Sequence, residues 1–349
     1  LTPRTTKSEV FFKSCPFISI SIHCFTCRSK LKLSGYLVAM AKRFPFSPSQ
    51  SKNLKFGEAS FEILSDFLNN LNIRNKDKLS NLSSYSGDFK DKRLIECVFL
   101  VTEELRLDPL VGYHAVELLE RFMIKYLEDL FSTTHTPAGV HKGNYEDLVY
   151  EKLSEKFHLI LLSCVQIASK LSLHSAVVDN NTAVQFLHSM GHSVSKQTIM
   201  DMELMILKAL DFRLNTPNPL TYVEILLEVL GYNDSSIPVE HLHHLCRYVL
   251  QFTYLQRTAI YDSLLMATTQ CLSPSDEQRK TFVSVTEDCM LLGVGVIAVG
   301  SYILNVTNWE QVVEELSHIT GISVKSISDF THITLMHITK NNSPMVTAT

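Results

Sequence analysis

Lys170 is the only formal charge between Leu159 and Leu173 in the run FHLILLSCVQIASKLSL, where apolar side chains fall on every face. That pattern predicts a helix enclosed by other helices rather than one lying on a surface. An ammonium group in such a place needs a carboxylate, because removing one member of a buried ion pair costs about 3 to 5 kcal/mol. Glu203, in the later helical run SKQTIMDMELMILKALDF, is the carboxylate expected to meet it. The chemistry of such a pair is not catalytic. It can fix helix register, or it can present opposite charges among apolar neighbours to a partner chain.

Other residues with chemical potential carry less. Gly293, Gly295 and Ala298 satisfy the loose Gly-x-Gly-x-x-Ala dinucleotide fingerprint. That fingerprint works only where a strand turns into a helix and amide groups face a pyrophosphate. Here it lies inside an apolar helical run, so small residues that let helices approach closely are the expected reading, and no cofactor is expected. Cys24 and Cys27 form a Cys-x-x-Cys near His23 and Cys15, but no second pair closes a tetrahedral zinc set. His241, His243 and His244 read as a polar helix face rather than a metal site. Ser47-Pro48 and Ser273-Pro274 lie in polar stretches that suit a proline-directed kinase. The sequence holds no phosphate-binding glycine-lysine loop, nucleophile elbow or His-Glu-x-x-His motif, which points away from an enzyme.

The chain has 349 residues, more than the roughly 250 to 300 over which one core usually grows, so two packed units are expected. Hydrophobic residues make up 45% and charged residues 19%, the balance of a globular protein rather than a disordered one. Residues 1–55 hold ten Lys and Arg against Glu9, so the remaining chain is acidic despite an overall charge of only −4. An acidic body with no basic stripe does not suit direct binding of duplex nucleic acid, where phosphate neutralisation dominates affinity. Cys97, Cys164, Cys246, Cys271 and Cys289 stand singly, several inside apolar helical patterns, which indicates a reducing compartment, cytosol or nucleus. The run 289–304 is uncharged but shorter than the roughly 20 residues a membrane span requires, so no membrane is expected. The first methionine is Met40, and residues 1–39 are expected to be an extension outside the translated protein.

Residues 40–90 read as a polar, largely flexible segment with one amphipathic stretch, 61–71, able to pack on the body as a short helix. Five helices are then predicted over 93–107, 111–130, a third containing 157–173, 179–190 and one capped by Ser195 that ends near Phe212. Asp108-Pro109 and Gly191 punctuate them, and a polar connection over 132–146 precedes the third. The order returns after Pro217, with helices over 219–230, 241–266, 286–304, 309–318 and 323–337. Ser284 with Glu287, and Thr307 with Glu310, are the expected capping boxes. No alternating strand pattern appears, so the fold class is all-α.

The residues around the ion pair resemble the cyclin box. The family's third helix ends in alanine-serine-lysine, present as Ala168, Ser169 and Lys170. Its fifth carries methionine-glutamate and then leucine-lysine-x-leucine-x-phenylalanine-x-leucine, present as Met202, Glu203, Leu207, Lys208, Leu210, Phe212 and Leu214. Thr216 and Pro217 match the opening of the second box. The resemblance implies a cyclin-like fold of two tandem five-helix units, each around a central apolar helix, over 91–216 and 217–340, with a flexible tail at 341–349. It implies that Lys170 and Glu203 lie on the face that grips a cyclin-dependent kinase, with Ile167, Leu171, Leu207, Phe212 and Leu214 packing there. It also implies an internal brace between Arg93 of Lys92-Arg93-Leu94-Ile95-Glu96 and Glu120 of Leu119-Glu120-Arg121-Phe122. Glu96 departs from the family, standing where a leucine lines the groove for substrate peptides, so that docking role is not expected here.

Within the family, the phrases VELLERFM, SCVQIASKLS, NPLTYVEILLEVLGYN and EDCMLLGVGVIA are similar to a branch associated with meiotic crossover maturation. The resemblance implies a nuclear, chromosome-associated germ-cell factor whose partners are meiotic recombination proteins. A non-catalytic scaffold and a kinase-activating cyclin subunit are the two readings left open. The altered first helix and the long connection before the third favour the scaffold.

Overall fold

Helix formation dominates because apolar residues recur at three- and four-residue spacing along nearly every segment, each stripe needing a neighbouring helix to cover it. The computed structural model describes residues 56–133, 142–172, 176–305 and 309–340. Thirteen helices run through them in the order α1 (Phe61–Ser80), α2 (Lys92–Glu104), α3 (Pro109–Thr133), α4 (Lys142–Leu171), α5 (Asn180–Ser189), α6 (Lys196–Ala209), α7 (Pro219–Asn233), α8 (Val239–Leu255), α9 (Arg257–Thr269), α10 (Asp276–Thr286), α11 (Cys289–Ile303), α12 (Trp309–Thr320) and α13 (Val324–Lys340). Strands are absent among the described residues. The Cys-x-x-Cys, Ser47 and the Thr307 capping box lie outside them.

Two compact units form, divided between Thr216 and Pro217. The first contains α2 to α6. Its centre is α4, which packs on α2, α3 and α6. Phe157, Ile160, Leu161, Cys164, Val165 and Ala168 have essentially no exposure, as the enclosed-helix expectation requires. Side-chain caps set the starts: Asp91 accepts from Arg93 N–H, Asp179 from Thr182 N–H and Ser195 from Thr198 N–H. Gly191 stops α5 in the left-handed region at φ 84°.

Before α2 the chain passes through Asp88, whose burial pushes its carboxyl from 3.8 up to about 6. Folding therefore favours the protonated acid. The stability it contributes is complete below its unfolded value and falls as pH rises through about 6. Asp88→Asn is expected to gain stability over the parent as pH climbs from 4 to 7 in urea titrations; a pH-independent difference would refute this.

The second unit is built round α11, whose residues from Cys289 to Ser301 are all buried. It packs on α7, α8, α12, α13 and α1. The middle helix of this half was expected to begin at a Ser284 capping box. Instead Ser284 lies inside α10 and donates to Thr281 O, while Asp288 caps α11 through Met290 and Leu291 N–H. The capping box is Ser275 with Gln278, one helix earlier. No residue of α10 is buried, so it carries no apolar stripe that periodicity would detect. The single helix expected over 241–266 is broken at Gln256 into α8 and α9. The turn brings Arg257 inward, where it pairs with buried Glu287 at 2.7 Å and also donates to Thr286 O.

Residues 61–80, within the stretch expected to be largely flexible, instead form the 20-residue α1 and fold with the second unit. Buried Asn75 explains the attachment. Its amide donates to Asp288 Oδ1 at 2.9 Å and its carbonyl accepts Cys289 N–H at 3.0 Å. Lys78 adds an ion pair to Glu287 at 3.0 Å, and Tyr222 donates to Leu71 O at 3.3 Å. Asn75→Leu leaves the Cys289 amide without that acceptor, an expected loss of about 1 to 3 kcal/mol. Faster hydrogen exchange across 61–80 is the readout.

Candidate functional site

The surface around Lys170 starts from a polar anchor at the end of α4. Ser169 is fully buried; its hydroxyl donates to Gln166 O at 2.8 Å and accepts Val178 N–H at 3.0 Å. That pair of bonds fastens the segment leading to α5 across the last turn of α4. One residue further the chain emerges, and the Lys170 side chain is 39% exposed. Its Nζ lies 2.5 Å from Glu203 Oε1 on α6, where buried Ile199, Met202 and Ile206 hold the helix against α4. The ammonium also sits at a helix C-terminus, where the exposed carbonyls favour a cation.

The pair therefore forms as the sequence predicted, but not where the burial premise put it. The apolar run encloses α4 only through Ser169, and a lysine one residue from the helix end reaches water. An exposed pair of this kind contributes about 0 to 1 kcal/mol, not the cost attached to a buried one. Its side chains are held but accessible, which suits recognition better than core stability.

Of the apolar residues expected beside it, Ile167 is buried beneath the surface and belongs to the core. Leu207 and Leu214 are half-buried. Leu171 and Phe212 are exposed, Phe212 at 63%. Met200, Glu203 and Leu207 share one stripe of α6 by helical periodicity. Met200 is itself exposed and was missed, because a methionine at helical spacing reads as core.

Phe212 is presented by the way α6 ends. Asp211 N–H bonds Lys208 O at 3.0 Å and Phe212 N–H bonds Leu207 O at 2.9 Å, a Schellman arrangement. Asp211 and Phe212 take φ values of 50° and 57°. The left-handed region costs a side-chain-bearing residue roughly 1 to 2 kcal/mol, so something must hold this turn. Arg121 does so from α3, donating to Thr216 Oγ1 and to Arg213 O, both at 2.7 Å. The Leu119-Glu120-Arg121-Phe122 phrase was noted for its glutamate, and its arginine is the residue that positions the site. Arg121→Ala is expected to cost about 1.5 to 3 kcal/mol and to speed hydrogen exchange over 211–216.

The expected brace between Arg93 and Glu120 is not made. Arg93 is exposed on α2, and Glu120 instead accepts Gly87 N–H at 2.6 Å and Phe89 N–H at 3.1 Å. The buried brace joins Lys90 and Glu117 at 2.9 Å, with side chains 1% and 6% exposed. Both lie three residues before the residues expected, Glu117 one turn earlier on α3 and Lys90 just ahead of α2. Helical periodicity lets either glutamate face the preceding segment, and only packing selects between them.

Residues 66–215 match the family model for the cyclin N-terminal domain. The match opens inside α1 and closes at Asn215, so it includes α2 to α6 with Lys170 and Glu203. Similarity to whole proteins extends further. Cyclin N-terminal domain-containing protein 1 of Mus musculus is 40% identical over 297 residues, covering 84% of this chain and 88% of the mouse protein. Its Homo sapiens counterpart is 40% identical over 294 residues, covering 84% and 89%. The chain belongs to the cyclin family.

For a cyclin-family chain, Glu96 is the notable departure on α2. It is half-buried between Ile95 and Cys97, which have no exposure. Among the described residues no group of three metal-ligating side chains gathers and no single helix is long and apolar enough to cross a membrane.

Proposed function

We propose that this chain is a non-catalytic, cyclin-fold regulator of meiotic recombination, acting in the nucleus on meiotic chromosomes to promote crossover maturation at designated sites. It works through protein–protein contacts with recombination proteins. The observation that carries the interaction role is the exposed Lys170–Glu203 pair on α4 and α6 with Leu171 and Phe212 uncovered on the same unit. An ion pair that contributes little to stability and a phenylalanine displayed in the left-handed region suit contact with another chain. The meiotic assignment is supported by identity of 40% to cyclin N-terminal domain-containing protein 1 along a length that takes in both units.

A second reading is a kinase-activating subunit of a cyclin-dependent kinase, favoured by the same lysine and glutamate standing at the family's kinase-gripping positions. Glu96 in place of the groove-lining leucine weighs towards the scaffold. The two separate in one experiment: the tagged chain is recovered from meiotic tissue, and its complexes are assayed for phosphotransfer. The scaffold reading expects recombination proteins in the complex and no rise in kinase activity. Stoichiometric kinase, activated at least tenfold by the chain and released by Lys170→Glu, would replace it with the second reading.

A further inference from the structure

Where α1 meets the start of α11 in the second unit, an amine and a thiol stand in contact. Lys78 Nζ, in the last turn of α1, lies 3.4 Å from Cys289 Sγ, at the first residue of α11. The thiol's own hydrogen is turned away and donated to Glu287 O at 3.7 Å, so the ammonium meets a sulfur lone pair. Glu287 Oε2 is 3.0 Å from the same ammonium and can take its proton. Asn75, one turn before Lys78, holds the two helices in register through Asp288 and the Cys289 amide. Amine, sulfur and proton acceptor are thus fixed together by bonds already made.

Cysteines differ in reactivity through their surroundings. Cys164 and Cys246 are enclosed, and burial pushes both thiols above the ordinary range, the setting of an inert residue. Cys289 is also buried, at 5% exposure, but it stands at a helix N-terminus beside an ammonium, two features that favour a thiolate. The neighbouring carboxylates are engaged, Asp288 with Asn75 and the Met290 and Leu291 amides, Glu287 with Lys78 and Arg257. The Lys78 side chain is 28% exposed, so the pair lies at the edge of the core rather than in its centre. Its separation of 3.4 Å falls within the roughly 3 to 3.5 Å over which reacting atoms are poised for attack.

We propose that Lys78 and Cys289 form an oxidation site, at which hydrogen peroxide converts the pair into a reversible sulfur–nitrogen crosslink between α1 and α11. The Cys289 sulfur first attacks peroxide. The O–O bond breaks, the sulfur is oxidised by two electrons to a sulfenic acid, and the peroxide is reduced to water. Glu287 then takes a proton from the Lys78 ammonium, and the freed amine attacks Sγ. The S–N bond forms as the S–O bond breaks, and the hydroxyl leaves as water with an amine hydrogen. No second oxidant is needed, and a dithiol reverses the link by returning two electrons. The crosslink closes a chain loop between residues 78 and 289, which restrains the unfolded chain and holds α1 on the second unit. It is independent of which partner Lys170 and Glu203 contact.

The full chain, freed of reductant and treated with hydrogen peroxide, is digested without thiols and read by mass spectrometry. A peptide containing Lys78 should be joined to one containing Cys289, lighter by two hydrogens than their sum, and dithiothreitol should separate them. Lys78→Arg keeps a cation for Glu287 but offers no amine that attacks. Its crosslink should fall about tenfold or more, leaving the Cys289 sulfenic acid open to dimedone. Cys289→Ser should show neither product. Oxidation should slow hydrogen exchange across 61–80 in the parent and in neither variant. Met200, exposed on α6, reports the dose, because its sulfoxide shows that peroxide has acted. Met200 sulfoxide with no crosslink overturns the proposal. So does equal dimedone labelling of the parent and Lys78→Arg, a crosslink to another lysine, or a link that carries an extra oxygen atom.

Discussion

Glu117→Ala is expected to lower the stability of the first unit by about 3 to 5 kcal/mol, read as a fall in the urea midpoint of the full chain. The cost does not measure the attraction between Lys90 and Glu117. It arises because the Lys90 side chain, 1% exposed, is held away from water and loses the carboxylate 2.9 Å away. Two controls make the expectation specific. Replacing both partners by apolar residues of similar volume, Lys90→Met with Glu117→Leu, should recover much of the loss, since the buried ammonium goes with its carboxylate. Glu203→Ala should cost under about 1 kcal/mol, because Lys170 turns to solvent. Equal costs for Glu117→Ala and Glu203→Ala would show that the burial difference between the two pairs is not what sets their energetics.

Gly295→Val should destabilise the second unit by about 1 to 3 kcal/mol, visible as a lowered Tm. A Cβ at Gly295 would fall well inside van der Waals contact with the Phe330 ring, and Phe330 on α13 has no exposure. Overpacking at a closed interface forces a backbone shift between α11 and α13. Gly293 provides the comparison. Its Cβ would meet Leu226 Cδ1 at 3.1 Å and Tyr222 Cβ at 3.3 Å, tight contacts that small adjustments can accommodate. Gly293→Ala also gains about 0.8 to 1 kcal/mol of helix propensity, so its net effect should lie near zero. If the two positions respond alike, close helix approach is not what Gly295 serves. Its glycine then needs another explanation than packing, and the dinucleotide fingerprint it imitates regains interest.

How far the amino-acid order reveals this protein can be judged from these same residues. The central helices were legible because their apolar side chains point in every direction, and no exposed helix tolerates that composition. Ser195 and Asp179 marked helix starts because a short polar side chain before an apolar stripe satisfies free amide groups. The partnership of Lys170 with Glu203 was legible too, through the resemblance to cyclins and through the absence of any other charge over 159–173. By contrast, α10 escaped notice because it buries nothing, and the extent of α1 because its grip depends on Asn75, a residue with no periodic signature. Met200 and Arg121 went unread since each owes its character to exposure or to a distant contact.

What the sequence alone determined is therefore the set of local choices: helices throughout, their principal stops, two units, and membership of a family that packs such helices in a known order. Exposure belongs to the tertiary structure. Whether Lys170 is enclosed or wet, whether Lys90 pairs with Glu117 or Arg93 with Glu120, and which side of α6 is left uncovered all turn on shifts of a few residues along the chain. Side chains three or four residues apart share a helix face, so periodicity treats such alternatives as nearly equivalent. Close packing does not, because only one register fills the interior without leaving a charge or a gap inside.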